Sequence, residues 1–295
     1  VLACCFAALC AGTLPCPADD PSPLTVAVMD PLAMPLSCPC VKGHAQRRYD
    51  QLAEFLQGRL HRQVNVLFAE DLAKILRGQS GHDVHLIIGK RSVVQSDARI
   101  NGLPVRPVMM LTGKDGQTTL TGLFTVRKDD PARTLEDLKG YTVLFGPPEC
   151  DEKFRAAAAA LSKAGVQLPA KFETRPGCSD SVTEMLENAQ RPTAAVISSY
   201  AAALLEGCGT VEKGSIRIIG QTHPVPFVTV FFTAAVEESL GAEIRGALLA
   251  VKQHPDLLIA LETQLGFVPL DEPTASAAPT GTADLDAGAK KEVAA

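Results

Sequence analysis

The chain has 295 residues, a formal net charge of −5 and no run of Lys and Arg, so its composition does not favour nucleic acid as a partner. Hydrophobic residues make up 46% of the sequence, which is enough to build one large or two ordinary packed cores. The chain has no Trp and only three Tyr, which disfavours an aromatic stacking surface for bases or sugars.

The first twelve residues are small and apolar, and Pro and Asp residues follow them. This pattern is typical of the hydrophobic part of an export signal, and it is too short to span a bilayer as a helix. Residues 1–4 resemble a lipoprotein processing box weakly. We therefore predict that residues 1–22 are an export signal remnant and leader, and that the protein is periplasmic or otherwise extracytoplasmic. A soluble and a lipid-anchored product both stay open.

The next predicted elements alternate between strand and helix. Buried strands are predicted at Leu24–Met29, at Val64–Phe68 and at residues 84–88, where short apolar runs end at Asp, Gly or Pro. Helical spacing of apolar residues predicts helices at 45–60 and 70–77. A helix between two strands is a βαβ unit, which implies a parallel sheet.

A second group of elements follows. Residues 102–111 and 118–127 predict the two strands of a hairpin around the Lys114-Asp115-Gly116 turn. The strand and helix alternation then begins again. The predicted helices cover 134–138, 153–164, 182–189 and 201–205, and the predicted strands cover 141–145 and 194–198.

The last elements predict a return to the first group. A strand at 225–233 is followed by helices at 242–254 and 255–265, which should pack against the first lobe. We therefore predict an α/β protein of two lobes, each with a mixed, mostly parallel sheet flanked by helices, joined by a two-strand hinge near 121–126 and 225–230. The predicted lobes are 23–125 plus 224–270 and 126–223. Residues 271–295 lack periodic apolar positions and are predicted to be disordered.

One stretch of the chain resembles a known family. Residues 123–131 read Leu-Phe-Thr-Val-Arg-Lys-Asp-Asp-Pro, residues 134–140 read Thr-Leu-Glu-Asp-Leu-Lys-Gly, and a strand follows at 141–145. This combination resembles the type II periplasmic binding proteins, and within them the phosphate, phosphite and phosphonate-binding family of ABC transporters. The order of segments agrees over roughly residues 24–268.

The resemblance implies a cleft between the lobes that closes around a small polar or anionic ligand, phosphonate-like or phosphate-like, and passes it to the membrane component of an ABC importer. It implies no cofactor and no catalysis. The sequence also lacks the Gly-x-Ser-x-Gly, phosphate-loop and His-Glu-x-x-His motifs, which makes an enzyme the weakest class of function.

Helix N-termini at such a cleft would present unpaired N–H groups to an anion. Glu149, Cys150 and Asp151 stand where the relatives place a Ser/Thr-rich turn that contains Gly. Glu149 and Asp151 are suitable helix caps, but they would repel an anion held at the same place. A phosphonate-like ligand is therefore not favoured by this loop.

Other candidates follow strand ends. Hydroxyl groups at 198–200 lie where the resemblance implies an acidic residue, and helix capping is their alternative role. Basic residues after the 84–88 strand could meet a negative group, and simple solvation is the alternative. The predicted ligand-binding residues are Asp30, Lys90, Arg91, Ser92, Thr121, Glu149, Cys150, Asp151, Ser198, Ser199, Tyr200 and His223.

A metal site is the alternative function. Soft ligands at predicted cleft edges could hold copper or zinc, which would make the protein an accessory of an exported metal or redox system. The candidates are Cys38, Cys40, Cys150 and His223. Export also favours one or two disulfides, with Cys178 and Cys208 as the first pair to test and a bridge from Cys38 or Cys40 to Cys150 as another possibility.

Overall fold

The computed structural model of the protein describes residues 22–37, 46–78, 84–188 and 190–270. The strands are β1 (Leu24–Met29), β2 (Val64–Phe68), β3 (Leu86–Lys90), β4 (Val105–Leu111), β5 (Thr119–Leu120), β6 (Gly122–Arg127), β7 (Thr142–Phe145), β8 (Glu173–Thr174), β9 (Thr193–Ser198), β10 (Ile216–Gln221), β11 (Val225–Pro226), β12 (Val228–Thr233) and β13 (Phe267–Pro269). The predicted leader 1–22 (of which only Ser22 is described) and the tail 271–295 lie outside the described residues.

The helices are α1 (Tyr49–Leu60), α2 (Leu72–Gly78), α3 (Arg91–Ile100), α4 (Arg155–Lys163), α5 (Cys178–Glu187), α6 (Ala201–Gly207), α7 (Glu238–Ala250) and α8 (Pro255–Ala260). Short 3-10 turns cover Leu135–Leu138, Asp151–Lys153 and Val251–Gln253. None of these helices is long and apolar enough to cross a membrane, within the residues described.

The first sheet has the strand order β13-β4-β12-β3-β1-β2. All six residues of β1 are buried because the sheet is covered on both faces, as expected for a strand with parallel neighbours on either side. The adjacent residues Phe231 and Phe232 belong to apolar clusters on opposite faces, which follows from the two-residue period of a strand. Leu52 and Leu56 of α1 pack in the same cluster as Phe232.

The second sheet has the order β10-β6-β9-β7-β8. Its central strands also bury both faces. Phe124 and Phe145 lie in one apolar cluster, whereas their neighbours Leu123 and Leu144 lie in another. The protein therefore contains two separate sheets, each with helices on both sides.

Two segments link the sheets, and they pair with each other. β5 pairs with β11 in antiparallel orientation, and the Thr222 amide donates to the Gly122 carbonyl at 2.9 Å. After β12, helices α7 and α8 pack against α1, and β13 pairs with β4. The predicted lobe limits and the predicted hinge motion stay predictions, although β6 already belongs to the second sheet.

The structure differs from the sequence-based expectation in several elements. The predicted hairpin is wrong, because β4 pairs with β12 and β13 while β6 pairs with β9 and β10. The turn forms, with the Gly116 amide donating to Gly113, but the strands on its two sides enter different sheets. Helix α3 and strand β10 were not predicted, since adjacent Val residues in α3 hide its helical period.

The expectation of mostly parallel sheets also needs correction. Three of the five pairings in the first sheet and two of the four in the second are antiparallel. The reason is that β12 runs antiparallel to both β3 and β4 in the first sheet, and β6 runs antiparallel to both β9 and β10 in the second. The two-lobed α/β architecture with mixed sheets is as predicted.

Candidate functional site

A pocket of about 310 Å³ lies between the two sheets. Its walls come from the carboxyl ends of β1 and β3 on one side, and from the loop after β7, the start of α5 and the start of α6 on the other. Carboxyl ends of parallel strands are the usual ligand position in open α/β sheets. The polar side chains that line it are Glu70, Lys90, Cys150, Lys153, Cys178, Ser179 and Tyr200.

A buried ion pair joins the two sides behind this pocket. Lys90, the last residue of β3, places its Nζ 2.6 Å from Oε1 of Glu152, and the two side chains are 5% and 0% exposed. The Ser198 hydroxyl at the end of β9 donates to the same carboxylate oxygen at 2.7 Å. The second oxygen, Oε2, is buried without a hydrogen-bond partner among the described residues.

Each member of the pair shifts the pKa of the other in the direction that keeps both side chains charged. Burial works to raise the pKa of Glu152, but the Lys90 ammonium, the Ser198 hydroxyl and the Lys153 ammonium together outweigh burial and hold that pKa below its usual value. Burial likewise works to lower the pKa of Lys90, and the Glu152 carboxylate raises it above its usual value. We therefore treat Lys90 and Glu152 as a charged pair at neutral pH.

Lys153 is a second buried cation, next to the pair. It is 5% exposed, it lines the pocket, and its Nζ lies 3.7 Å from the Cys178 thiol. No carboxylate lies within 4 Å of this ammonium among the described residues. Burial works to lower the pKa of Lys153, whereas the electrostatic influence of the Cys178 and Cys150 side chains works to raise it, and the net shift is upward.

Two glycines make room for these side chains. A Cβ on Gly146, in the loop after β7, would lie 2.6 Å from the Cβ of Lys153. A Cβ on Gly122, at the start of β6, would collide with the backbone carbonyl of Glu152. Any larger residue at either position would therefore displace the Asp151–Lys153 turn.

The N-terminus of α5 forms part of the wall, with Gly177, Cys178 and Ser179 lining the pocket. Asp180 caps the helix, since its carboxylate accepts the Gly177 amide at 2.9 Å. The amides of Cys178 and Ser179 belong to the first turn, where N–H groups have no partner inside the helix. The wall therefore offers backbone donors beside the Lys153 ammonium.

The opposite part of the pocket is apolar. Leu32 and Leu36 follow β1, and Leu204 and Leu205 lie on α6. Tyr200 also lines the pocket and stacks on Phe227, with ring centroids 5.5 Å apart. Burial, followed by the nearby Cys178 thiol, raises the pKa of Tyr200, so its hydroxyl remains protonated at neutral pH.

The structure brings several predicted residues together. Lys90, Cys150 and Tyr200 line the pocket, and Ser198 bonds the Glu152 carboxylate behind it. The alternative of a solvated Lys90 is therefore wrong. The Ser92 hydroxyl accepts the Asp151 amide at 3.3 Å, which adds a second contact between the two sides.

Other predicted residues do not line the pocket. Ser199 and Thr121 bond each other at the sheet crossing, where the Thr121 carbonyl accepts the Ser199 amide at 2.8 Å. The Asp151 carboxylate turns to Arg155, 2.5 Å away, so the predicted repulsion of an anion by Asp151 loses its geometric basis. Neither Glu149 nor the exposed His223 reaches the pocket wall.

Asp30 and Arg91 have structural contacts instead. The Asp30 carboxylate is fully buried and bonds Arg47 at 2.8 Å and the Tyr49 hydroxyl at 2.6 Å, so it is not directed at a ligand. The Arg91 amide donates to the Phe227 carbonyl at 2.8 Å, which anchors the start of α3 to the strand that returns from the second sheet.

Sequence reasoning missed Glu152, Lys153 and Cys178 as site residues. The predicted helix at 153–164 placed Lys153 in a helical first turn, where charge is ordinary. The signal available in the sequence was a pair of glycines, Gly122 in β6 and Gly146 after β7. Glycine permits another segment of the chain to pack closely against the backbone. The lobe packing that buries Glu152 cannot be read from local spacing.

The metal and disulfide expectations have different outcomes. Cys38 and Cys40 lie outside the described residues, and the described part of the chain contains no group of three or more His, Cys, Asp or Glu side chains placed to hold a metal. The copper or zinc alternative stays a prediction.

Cys150, Cys178 and Cys208 are free, so the predicted Cys178–Cys208 bridge is wrong. Cys178 faces Lys153, whereas Cys208 contacts Thr210 at 3.0 Å.

A family model described as the periplasmic substrate-binding protein of phosphonate ABC transporters matches residues 42–274. A comparison with curated protein sequences gave no match.

Solved structures share the fold at low sequence identity. A Xanthomonas citri protein, XAC2383 bound to ATP, is 17% identical with a TM-score of 0.63, covering 85% of this chain and 92% of its own. The binding protein component of an ABC phosphonate transporter from Pseudomonas aeruginosa is 15% identical, with a TM-score of 0.62 and coverage of 85% and 82%. PhnD1 from Prochlorococcus marinus, in complex with methylphosphonate, is 15% identical, with a TM-score of 0.62 and coverage of 85% and 93%.

Proposed function

Because this chain belongs to the family of periplasmic substrate-binding proteins of phosphonate ABC transporters, we propose that its pocket binds a small oxyanion that carries an aliphatic substituent. The protein is a periplasmic solute-binding protein whose partners are a small molecule and the membrane component of an ABC transporter. Its family is one of transport proteins, and the proposal includes no catalytic step.

The observation that carries the proposal is the Lys153 ammonium. The side chain is only 5% exposed, it lines the pocket, and it has no carboxylate within 4 Å among the described residues. A buried charge without a counterion is unfavourable, so a bound anion would stabilise the closed pocket. The first-turn amides of α5 supply hydrogen bonds to the same anion.

The apolar part of the pocket indicates the rest of the ligand. Leu32, Leu36, Leu204 and Leu205 offer no hydrogen bonds, and a free inorganic oxyanion would leave them facing water. An aliphatic substituent would cover them, with a gain of about 0.8 kcal/mol per buried methylene. We therefore expect alkylphosphonates to bind more tightly than inorganic phosphate.

Titration calorimetry with phosphate, methylphosphonate and butylphosphonate tests this ligand class. The Kd should fall along the series, by up to about fourfold for each added methylene. A Kd that rises along the series would contradict the aliphatic substituent, and binding of none of the three would contradict the oxyanion itself.

The variant Lys153→Met tests the head-group contact. Loss of a charge-assisted contact should weaken methylphosphonate binding by roughly 10-fold to 100-fold, whereas the free energy of unfolding should stay equal or rise because a lone buried charge is removed. Lys163→Met is the matched control, since Lys163 is exposed at the end of α4. Equal affinity of Lys153→Met and the wild type would contradict the proposal.

A further inference from the structure

Resting on the proposed function, we infer that the pocket selects oxyanions with one negative charge over those with two, and that Glu152 sets this selection. The selection is a matter of charge balance inside a buried site. Glu152 does not line the pocket, so it acts as a positioning residue through Lys90 and not as a direct ligand contact.

The charge count follows from the geometry. Two buried ammonium groups, Lys90 and Lys153, stand beside one buried carboxylate, that of Glu152. The Lys90 charge is already neutralised by Glu152 at 2.6 Å, whereas Lys153 lies beside the Cys178 and Cys150 thiols and has no carboxylate within 4 Å among the described residues. One positive charge is therefore left for the ligand.

The remaining titratable groups around the pocket do not change this count. Burial raises the pKa of the Cys150 thiol, and the Tyr200 hydroxyl is also protonated at neutral pH. Glu70 lies at the pocket edge, 75% exposed and paired with Lys74.

The Asp30 and Arg47 charges cancel each other. Asp151 is paired with Arg155, Glu149 lies outside the pocket wall, and Cys178 faces Lys153.

A doubly charged oxyanion would bring an excess negative charge next to the Glu152 carboxylate. The Oε2 atom of Glu152 accepts no hydrogen bond from the described residues that could offset this repulsion. Like charges in a buried site raise the free energy of the complex, because little water screens them. A singly charged sulfonate, or a phosphonate that keeps one proton, avoids this repulsion.

Titration calorimetry on the full chain, with methylphosphonate and methanesulfonate at a pH below and a pH above the second ionisation of the phosphonate, tests the inference. Methanesulfonate has a similar shape and one charge at both pH values, so its Kd should stay constant. If only the singly charged phosphonate binds, its apparent Kd should rise by about tenfold for each pH unit above that ionisation. A methylphosphonate Kd that stays constant or falls as the pH rises would overturn the inference and leave the proposed function standing.

Two variants assign the effect to Glu152. Glu152→Gln removes the carboxylate and should flatten or reverse the pH dependence of methylphosphonate binding, whereas Glu152→Asp keeps the charge and should retain it. A wild-type pH profile in Glu152→Gln would overturn the role of Glu152. If neither ligand binds the wild type at either pH, the proposed function fails together with this inference. Cys178→Ser should keep the wild-type profile, and a changed profile would show that the thiol belongs to the charge count.

Discussion

Two buried ion pairs in this protein each join one acidic and one basic side chain, but their surroundings differ. Asp30 and Arg47 lie in one lobe, 0% and 3% exposed, and both oxygens of Asp30 accept hydrogen bonds, from Arg47, Tyr49 and the Leu32 amide. Lys90 and Glu152 join the two lobes, and here one carboxylate oxygen has no partner among the described residues and a second cation lies alongside.

The two buried pairs differ in whether their charges are fully compensated. The Asp30 network holds the loop after β1 to the start of α1, and its charges cancel. The Lys90 network leaves one charge uncompensated at a wall that can take a ligand. Burial alone is therefore no reason to propose a site, whereas an uncompensated buried charge that lines a pocket is one.

The largest effect should come from breaking the network within one lobe. Arg47→Met leaves the Asp30 carboxylate buried and unpaired, and we expect a loss of about 3–5 kcal/mol in the free energy of unfolding. Urea denaturation measures it. Arg48→Met is the matched control, because Arg48 pairs with Asp50 at the surface, where the two side chains are 41% and 47% exposed, and its effect should be small. Equal effects for the two variants would contradict the comparison.

Breaking the pair between the lobes should cost less stability. In Lys90→Met the lobes can separate and expose Glu152 to water, so we expect a loss below about 2 kcal/mol in the free energy of unfolding. Small-angle scattering should also show a larger radius of gyration than in the wild type. A stability loss as large as that of Arg47→Met, with unchanged dimensions, would show that the lobes do not separate.

Lowering the pH should gradually remove the contribution of the Glu152 carboxylate to the free energy of unfolding. The folded pKa of this carboxyl is lowered, so its stabilisation is present above the unfolded value of about 4.3 and is lost as the pH falls through the folded value. We expect the difference in unfolding free energy between the wild type and Glu152→Gln to shrink over that acid range. A difference that grows as the pH falls would contradict the assigned direction of the pKa shift.

The smallest effect should come from the pocket edge. Glu70 is exposed and its charge is screened by water and by Lys74, so Glu70→Gln should change the Kd for methylphosphonate by less than about twofold. Titration calorimetry measures this Kd, in parallel with that of the Lys153→Met variant. A tenfold change in this Kd would indicate that the charged group of the ligand binds at this edge and not at the buried lysines.

Much of the secondary structure was predictable because it depends on local apolar patterns. The fully buried β1 and β9 appear in the sequence as unbroken apolar or small-residue runs, and Leu52 and Leu56 mark the buried face of α1. The partners of β4 and β6 were not predictable from the turn between them, since strands next to each other in sequence enter different sheets here.

The candidate site was predictable only in part. Lys90, Cys150 and Tyr200 follow strands or precede helices, which are positions where ligand contacts are common, and the sequence pointed to them. Their hydrogen bonds and charges depend on residues far along the chain, such as Glu152, 62 positions after Lys90. Local spacing contains no information on such a pairing.

By itself, then, the sequence determined the two α/β groups of elements, their return to the first sheet and the family resemblance, because these depend on periodicity and on short motifs. Only the tertiary structure decided which charges are cancelled and which are left over. The physical reason is that burial and ion pairing arise when distant segments pack: Glu152 pairs with Lys90, and the Lys153 ammonium, which we propose as the binding group, has no carboxylate within 4 Å among the described residues.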